Sequence, residues 1–128
     1  MSFTDPIADL LTRLRNAQHS RSADCTVPWS TMKQQICDIL KDEHFLSSVA
    51  VSGEGKDKMI TVTFDPKKPA LSLKRVSTPG GRRYVGSADI RHFLHGASIA
   101  ILSTSAGLMT HRTAKEKNIG GELLCTIA

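Results

Sequence analysis

Asp65-Pro66-Lys67-Lys68-Pro69 lies at the midpoint of a 128-residue chain, and no other segment constrains the fold as strongly. Each proline lacks a backbone N–H and pushes the residue before it out of the helical region. Neither a helix nor a central strand therefore runs through the middle of the chain, and order must be built separately over 1–66 and 67–128. The charge breaks at the same place. The first half carries seven Lys/Arg against nine Asp/Glu, net −2, and the second ten against three, net +7, which makes up the chain's +5. Lys and Arg gain by releasing counterions from phosphates, so the basic half points to a polyanion. The bland alternative is a solvated charge that serves solubility.

Several classes are excluded at this stage. Hydrophobic residues at 40% and charged residues at 23% describe a globular chain rather than a disordered one. No apolar run is long enough to span a bilayer. Met1-Ser2-Phe3-Thr4-Asp5-Pro6 lacks the basic-then-apolar layout of a signal peptide. Three cysteines, Cys25, Cys37 and Cys125, cannot all pair within one chain and form no Cys-x-x-Cys. The expectation is a cytoplasmic protein with reduced thiols and no membrane partner.

Local signals predict an α+β protein of two small domains, an N-terminal α-β-α-β-β domain over 1–66 and a mostly β C-terminal domain with short helices over 67–128. Asp5-Pro6 opens a helix, and Ile7, Leu10, Leu11 and Leu14 fall on one helical face. Cys25 to Val27 reads as a strand, and Ser30 as the cap of a second helix with Met32, Ile36, Ile39 and Leu40 on its apolar stripe. Leu46 to Val51 and Met59 to Phe64 read as strands joined by a loop of hairpin composition. Beyond the linker, Leu71 to Val76, Arg82 to Val85, Ser98 to Thr104 and Glu122 to Ile127 read as strands, with a turn at Thr78-Pro79-Gly80-Gly81. Asp89 to Leu94 predicts one helical turn before Gly96, and Thr110 a cap for a short helix through Lys117.

Enzyme readings find little support. His92 and His95 form the one close histidine pair, without the Cys or carboxylate that would complete a zinc set, so no metal and no cofactor are expected. Gly53-Glu54-Gly55 lacks the Gly-Lys-Ser/Thr of a phosphate loop and suits a hairpin tip. Ser103, Asp89 and His111 supply triad residue types without a nucleophile-elbow sequence. More informative is Ile101-Leu102-Ser103-Thr104-Ser105-Ala106-Gly107-Leu108-Met109-Thr110, read as a buried strand running into three hydroxyls, a glycine and a helix cap. Hydroxyls donate and accept, so they suit phosphate, ribose 2′-OH and base edges alike. A Ser/Thr turn that serves only to cap the next helix is the alternative.

Ser103-Thr104-Ser105-x-Gly107 followed by Gly120-Gly121-Glu122-Leu123-Leu124-Cys125 resembles the C-terminal signature of family eight of the small-subunit ribosomal proteins. The resemblance runs in order along nearly the whole chain. It includes Thr4-Asp5-Pro6-Ile7-Ala8-Asp9 with Arg13, Arg15 and Asn16; Val27-Pro28-x-Ser30 with Lys33; Ile39-Leu40-Lys41; and Lys74-Arg75-Val76-Ser77-x-Pro79-Gly80-x-Arg82-x-Tyr84. It implies a structural protein, not an enzyme, that binds the central domain of small-subunit ribosomal RNA directly and helps it assemble, beside neighbouring small-subunit proteins. Bacterial members can also bind their own messenger RNA, so a free RNA-binding translational regulator is the alternative function. By the same resemblance Ser103, Thr104, Ser105 and Gly107 are the principal RNA contact, with Gly120, Gly121 and Glu122 beside them. The chain departs from the family at Ala106, where lysine is frequent, at Gly81 and Arg83, at His44 in place of a turn glycine, and in an ending without aromatics.

Further candidates come from chemistry. Tyr84, the only tyrosine, sits among basic residues and can stack on a base, or pack on strand neighbours. Arg82, Lys33 and Arg15 are candidate phosphate contacts, with solvated charge as the alternative for the latter two. Glu122 repels phosphate, so it belongs on an RNA face only if it accepts from a base amino group or orients the serine loop. Trp29 precedes the Ser30 cap, but its staple partner position holds Gln34, so no apolar staple is expected there.

Overall fold

The computed structural model describes residues 5–94 and 99–128, with the backbone alone at His92 and Phe93. The opening Met1 to Thr4, His95, Gly96 and Ser98, on which sequence expectations fell, lie outside the described residues. The described chain divides into two compact units, one of Pro6–Leu71 and the other of Ser72–Ala128 together with Asp5. Helices and antiparallel sheets make it α+β. No helix of the described residues is long and apolar enough to cross a membrane.

In the first unit, α1 (Pro6–His19) buries Ile7, Leu10, Leu11 and Leu14, the stripe its spacing predicts. The strand β1 (Asp24–Pro28) follows, then α2 (Thr31–Asp42), whose cap Ser30 accepts the Lys33 N–H at 3.1 Å. The strands β2 (Ser48–Ser52) and β3 (Met59–Thr63) complete a sheet of order β1-β3-β2, and α1 and α2 pack against one another and against β1 and β2. Val27, Ile60 and Val62 are buried, while Thr26 and Thr61 bond to each other at 3.1 Å on the opposite face. His44 stands at φ 65, in the left-handed region that favours glycine. The Phe45 N–H reaches back to the Leu40 carbonyl and closes α2 there.

The second unit holds β4 (Leu73–Arg75), β5 (Tyr84–Val85), β6 (Ile99–Thr104), β7 (Gly107–Thr110), α3 (His111–Glu116) and β8 (Gly121–Ile127), with a 3-10 turn over Ile90–Phe93. β8 is central: β4 and β5 pair with it on one side, and β6, followed by β7, on the other. One sheet face carries Val85, Leu123, Leu102 and Met109 into a core closed by Ile90 and by Ala114 of α3.

One expectation is corrected here. The hydroxyl segment is not a loop leading to a helix cap, because Gly107–Thr110 pairs with Ile101–Thr104 as a β-hairpin with Ser105-Ala106 at its tip. Ser103 and Thr104 belong to β6, as the strand read over 98–104 expects, and only the strand Gly107–Thr110 is new. Thr110 caps α3 unaided, accepting the Thr113 N–H.

Candidate nucleic-acid interface

Strand periodicity puts neighbouring residues on opposite faces, and cross-strand partners on the same face. Leu102, Leu123 and Val85 enter the core, so Ser103, Glu122 and Tyr84 point the other way. They form one row, because Tyr84 pairs with Glu122 across β5–β8 and Glu122 with Ser103 across β8–β6. That row depends on a bulge. The β6–β8 register shifts between Ile101 and Leu102, leaving Leu124 as the extra residue, and without the shift Ser103 would stand opposite Leu123. The bulge carbonyl of Leu124 is satisfied by Arg75 Nη1 at 2.6 Å and by the Val76 N–H at 3.0 Å.

The centre of the row is held from below. Ser77 is fully buried; its hydroxyl donates to Glu122 Oε2 at 2.5 Å and accepts the Arg83 N–H at 3.0 Å. Arg82 Nη1 donates to the same carboxylate at 2.9 Å. Partial burial pushes the Glu122 carboxyl up, but the Ser77 and Arg82 hydrogen bonds and the Arg82 charge outweigh it, so the group is held below the ordinary carboxylate range. Glu122 is therefore an ionised partner of Arg82 and Ser77. It orients those two residues rather than the serine loop, which corrects one of its expected roles.

The hairpin tip divides its hydroxyls between structure and surface. Thr104 Oγ1 donates to the Gly107 carbonyl at 2.8 Å and accepts the Ala106 N–H at 3.1 Å, so this hydroxyl shapes the turn. Gly107 takes φ 109, a conformation that side-chain-bearing residues rarely adopt. Among the described residues the Ser103 and Ser105 hydroxyls have no hydrogen-bond partner, and Ser105 is exposed. Tyr84 is 72% exposed, which removes the packed-strand alternative. Gly120 and Gly121 make the row possible in another way. A Cβ at Gly121 would collide with the Ser103 carbonyl oxygen, and one at Gly120 would lie 2.6 Å from that of Val85.

Tyr84, Arg82, Glu122, Ser103, Ser105, Gly107, Gly120 and Gly121 are thus brought together at one end of the second sheet. Arg15 is exposed on α1 of the first unit. Lys33 is buried there, with its ammonium 3.4 Å from Asp9 and 3.3 Å from the Pro28 carbonyl. The triad residue types are not assembled: His111 Nδ1 accepts the Ala100 N–H at 3.1 Å instead of meeting Ser103. The Cys37 and Cys125 thiols are buried, and burial pushes each up to about 12.

Two residues escape sequence reasoning. Ser77 carried a signal only as a lone hydroxyl in an apolar alternation before a turn. Trp29 does have a structural partner at the staple position, since its indole Nε1 donates to Gln34 Oε1 at 2.7 Å, while Lys58 lies 3.9 Å over its ring. The contact is polar, so the apolar pattern of the sequence carries no sign of it.

A sequence model of the family described as ribosomal protein S8 matches residues 5–128. Small ribosomal subunit protein uS8 of Anaeromyxobacter dehalogenans (strain 2CP-C) is 46% identical over 131 aligned residues, covering 99% of both chains. Proteins of the same name from Leptospira biflexa (strain Patoc 1 / Ames) and Geobacter sulfurreducens are each 44% identical over the same share of both chains.

Proposed function

Because the chain belongs to the ribosomal protein S8 family, we propose that it is a cytoplasmic structural constituent of the small ribosomal subunit that binds the central domain of small-subunit ribosomal RNA directly. The supporting observation is the row Tyr84–Glu122–Ser103 with the exposed Ser105 at its end. An aromatic face, an ordered carboxylate–guanidinium pair and two hydroxyls without a partner among the described residues can stack on a base and bond ribose and base edges. In this reading Ser103 and Ser105 make the contacts, Thr104 and Gly107 shape the turn, and Gly120 and Gly121 let the strands approach. Recognition resides in 67–128 as a domain of its own. Residues 1–66 form the other domain and add Arg15; Lys33 would have to leave Asp9 to reach a phosphate.

Co-sedimentation with small subunits after a high-salt wash, together with binding to a central-domain transcript, tests the assignment. Retention on washed subunits and preference for that transcript over an unrelated duplex are the expected results. A chain that washes off the subunits and prefers a messenger RNA leader would be a free regulator instead.

A further inference from the structure

Beside the hydroxyl row Arg83 is exposed and has no ion-pair partner among the described residues. In the second unit Arg75 is paired with Asp5 and Arg82 with Glu122. Three other cations gather beyond the opposite face of the sheet, where the Ile90–Phe93 turn and α3 leave a pocket of about 430 Å³. Arg91, His111, Arg112 and Lys115 line it together with the buried Ile90 and the half-buried Leu94. Every ionisable side chain in this lining is basic, and Asp89 and Glu116, adjacent in sequence to Ile90 and Lys115, do not line it. Among the described residues neither Arg91 nor Lys115 has an ion-pair partner. His111 is oriented as well: its Nδ1 accepts the Ala100 N–H, which leaves Nε2 as the donor of the neutral ring.

We propose that this pocket is a second RNA site, which seats the phosphodiester backbone between Arg91, Arg112 and Lys115 with a ribose or base edge against Ile90 and Leu94. The proposal rests on the RNA-binding reading above and assigns the two surfaces different chemistry. RNA-binding proteins commonly separate contacts that position the backbone from contacts that read bases. Here the hydroxyl row supplies reading, and the cationic pocket supplies most of the affinity and salt dependence.

The test uses the full chain carrying Arg91→Gln and Lys115→Gln together. Affinity for small-subunit ribosomal RNA and for an unrelated RNA duplex is measured across salt concentrations. Loss of two phosphate contacts lowers the slope of log affinity against log salt by roughly 1.4–1.8, so the penalty between 50 and 200 mM salt shrinks about tenfold. Both RNAs are expected to lose affinity alike at low salt. The charge-keeping Arg91→Lys with Lys115→Arg retains the slope, and the thermal midpoint of each variant reports that it is folded. An unchanged slope in the folded Gln variant, with wild-type chain binding RNA normally, overturns the pocket and leaves the first reading standing. Binding of a polyglutamate peptide that is lost in the Gln variant, with the RNA slope intact, also overturns it, in favour of an acidic protein segment. Wild-type chain that binds no RNA overturns both.

Discussion

Ser105 and Ser77 are two serines of one unit with opposite physical situations. Ser105 is exposed without a hydrogen-bond partner among the described residues, so its hydroxyl is solvated in the free protein. Ser105→Ala is expected to weaken specific RNA binding by roughly 1–3 kcal/mol, the cost of leaving an RNA group unpaired in a desolvated contact. Thermal stability should move by less than about 1 kcal/mol. Isothermal titration and a melting curve on the same variant check both halves, and a destabilised variant that binds normally would remove Ser105 from the contact set. Ser77, by contrast, bonds inside the fold to Glu122 and Arg83. Because the Glu122 carboxyl is held low by Ser77 and Arg82 against its burial, it binds a proton less readily folded than unfolded. Its contribution to stability is fully present above the ordinary glutamate value and is lost as pH falls through the lowered folded one. Glu122→Gln should therefore flatten the acid limb of stability below about pH 4.5, the ordinary value. Urea midpoints measured between pH 3 and pH 6 provide the check, and parallel curves for both proteins would contradict it.

Elements decide what those residues face. The β6–β7 hairpin turns in two residues because Thr104 Oγ1 bonds across it and Gly107 adopts φ 109. Ala106 sits exposed at the tip. Ala106→Lys should add one phosphate contact, steepening the salt slope of RNA binding by roughly 0.7–0.9 with little change in melting temperature. An unchanged slope would mean that the tip does not approach the RNA backbone. The turn was legible as a Ser/Thr–Gly cluster, but β7 was not. Gly107–Thr110 is four residues long, and one strand turn of apolar–polar pattern is too short to be told from a loop. Capping, in contrast, was legible residue by residue. Ser30 and Thr110 each accept a backbone N–H three residues on, a contact built within one helical turn and so independent of the rest of the fold.

At the scale of the whole molecule, the proline-rich segment 65–69 separates a near-neutral half from a basic one. A chain of 67–128 alone is expected to fold and to keep most of the specific RNA affinity, since the row and its supports all lie within it. Circular dichroism and filter binding on that fragment test this; a folded fragment without affinity would transfer recognition to the first half. The α2 stripe holds at Ile36 and Leu40 but not at Met32, which is exposed while Cys37 is buried. The helices, the Ser30 and Thr110 caps, the α1 stripe and the basic excess were determined by the sequence itself. Each depends on residues within a few positions of one another or on composition, where φ/ψ preference and periodicity act directly. The row was not so determined. Tyr84, Glu122 and Ser103 meet only because β8 pairs with β5 and β6 and because a bulge at Leu124 shifts the register. Ser77 reaches Glu122 across 45 positions and Arg82 reaches it across 40. Local propensity specifies that a strand forms but not which strand it meets or in what register. β6 and β8 are buried on both faces over 99–102 and 123–127, and packing those residues left Ser103, Glu122 and Tyr84 together at the less buried end.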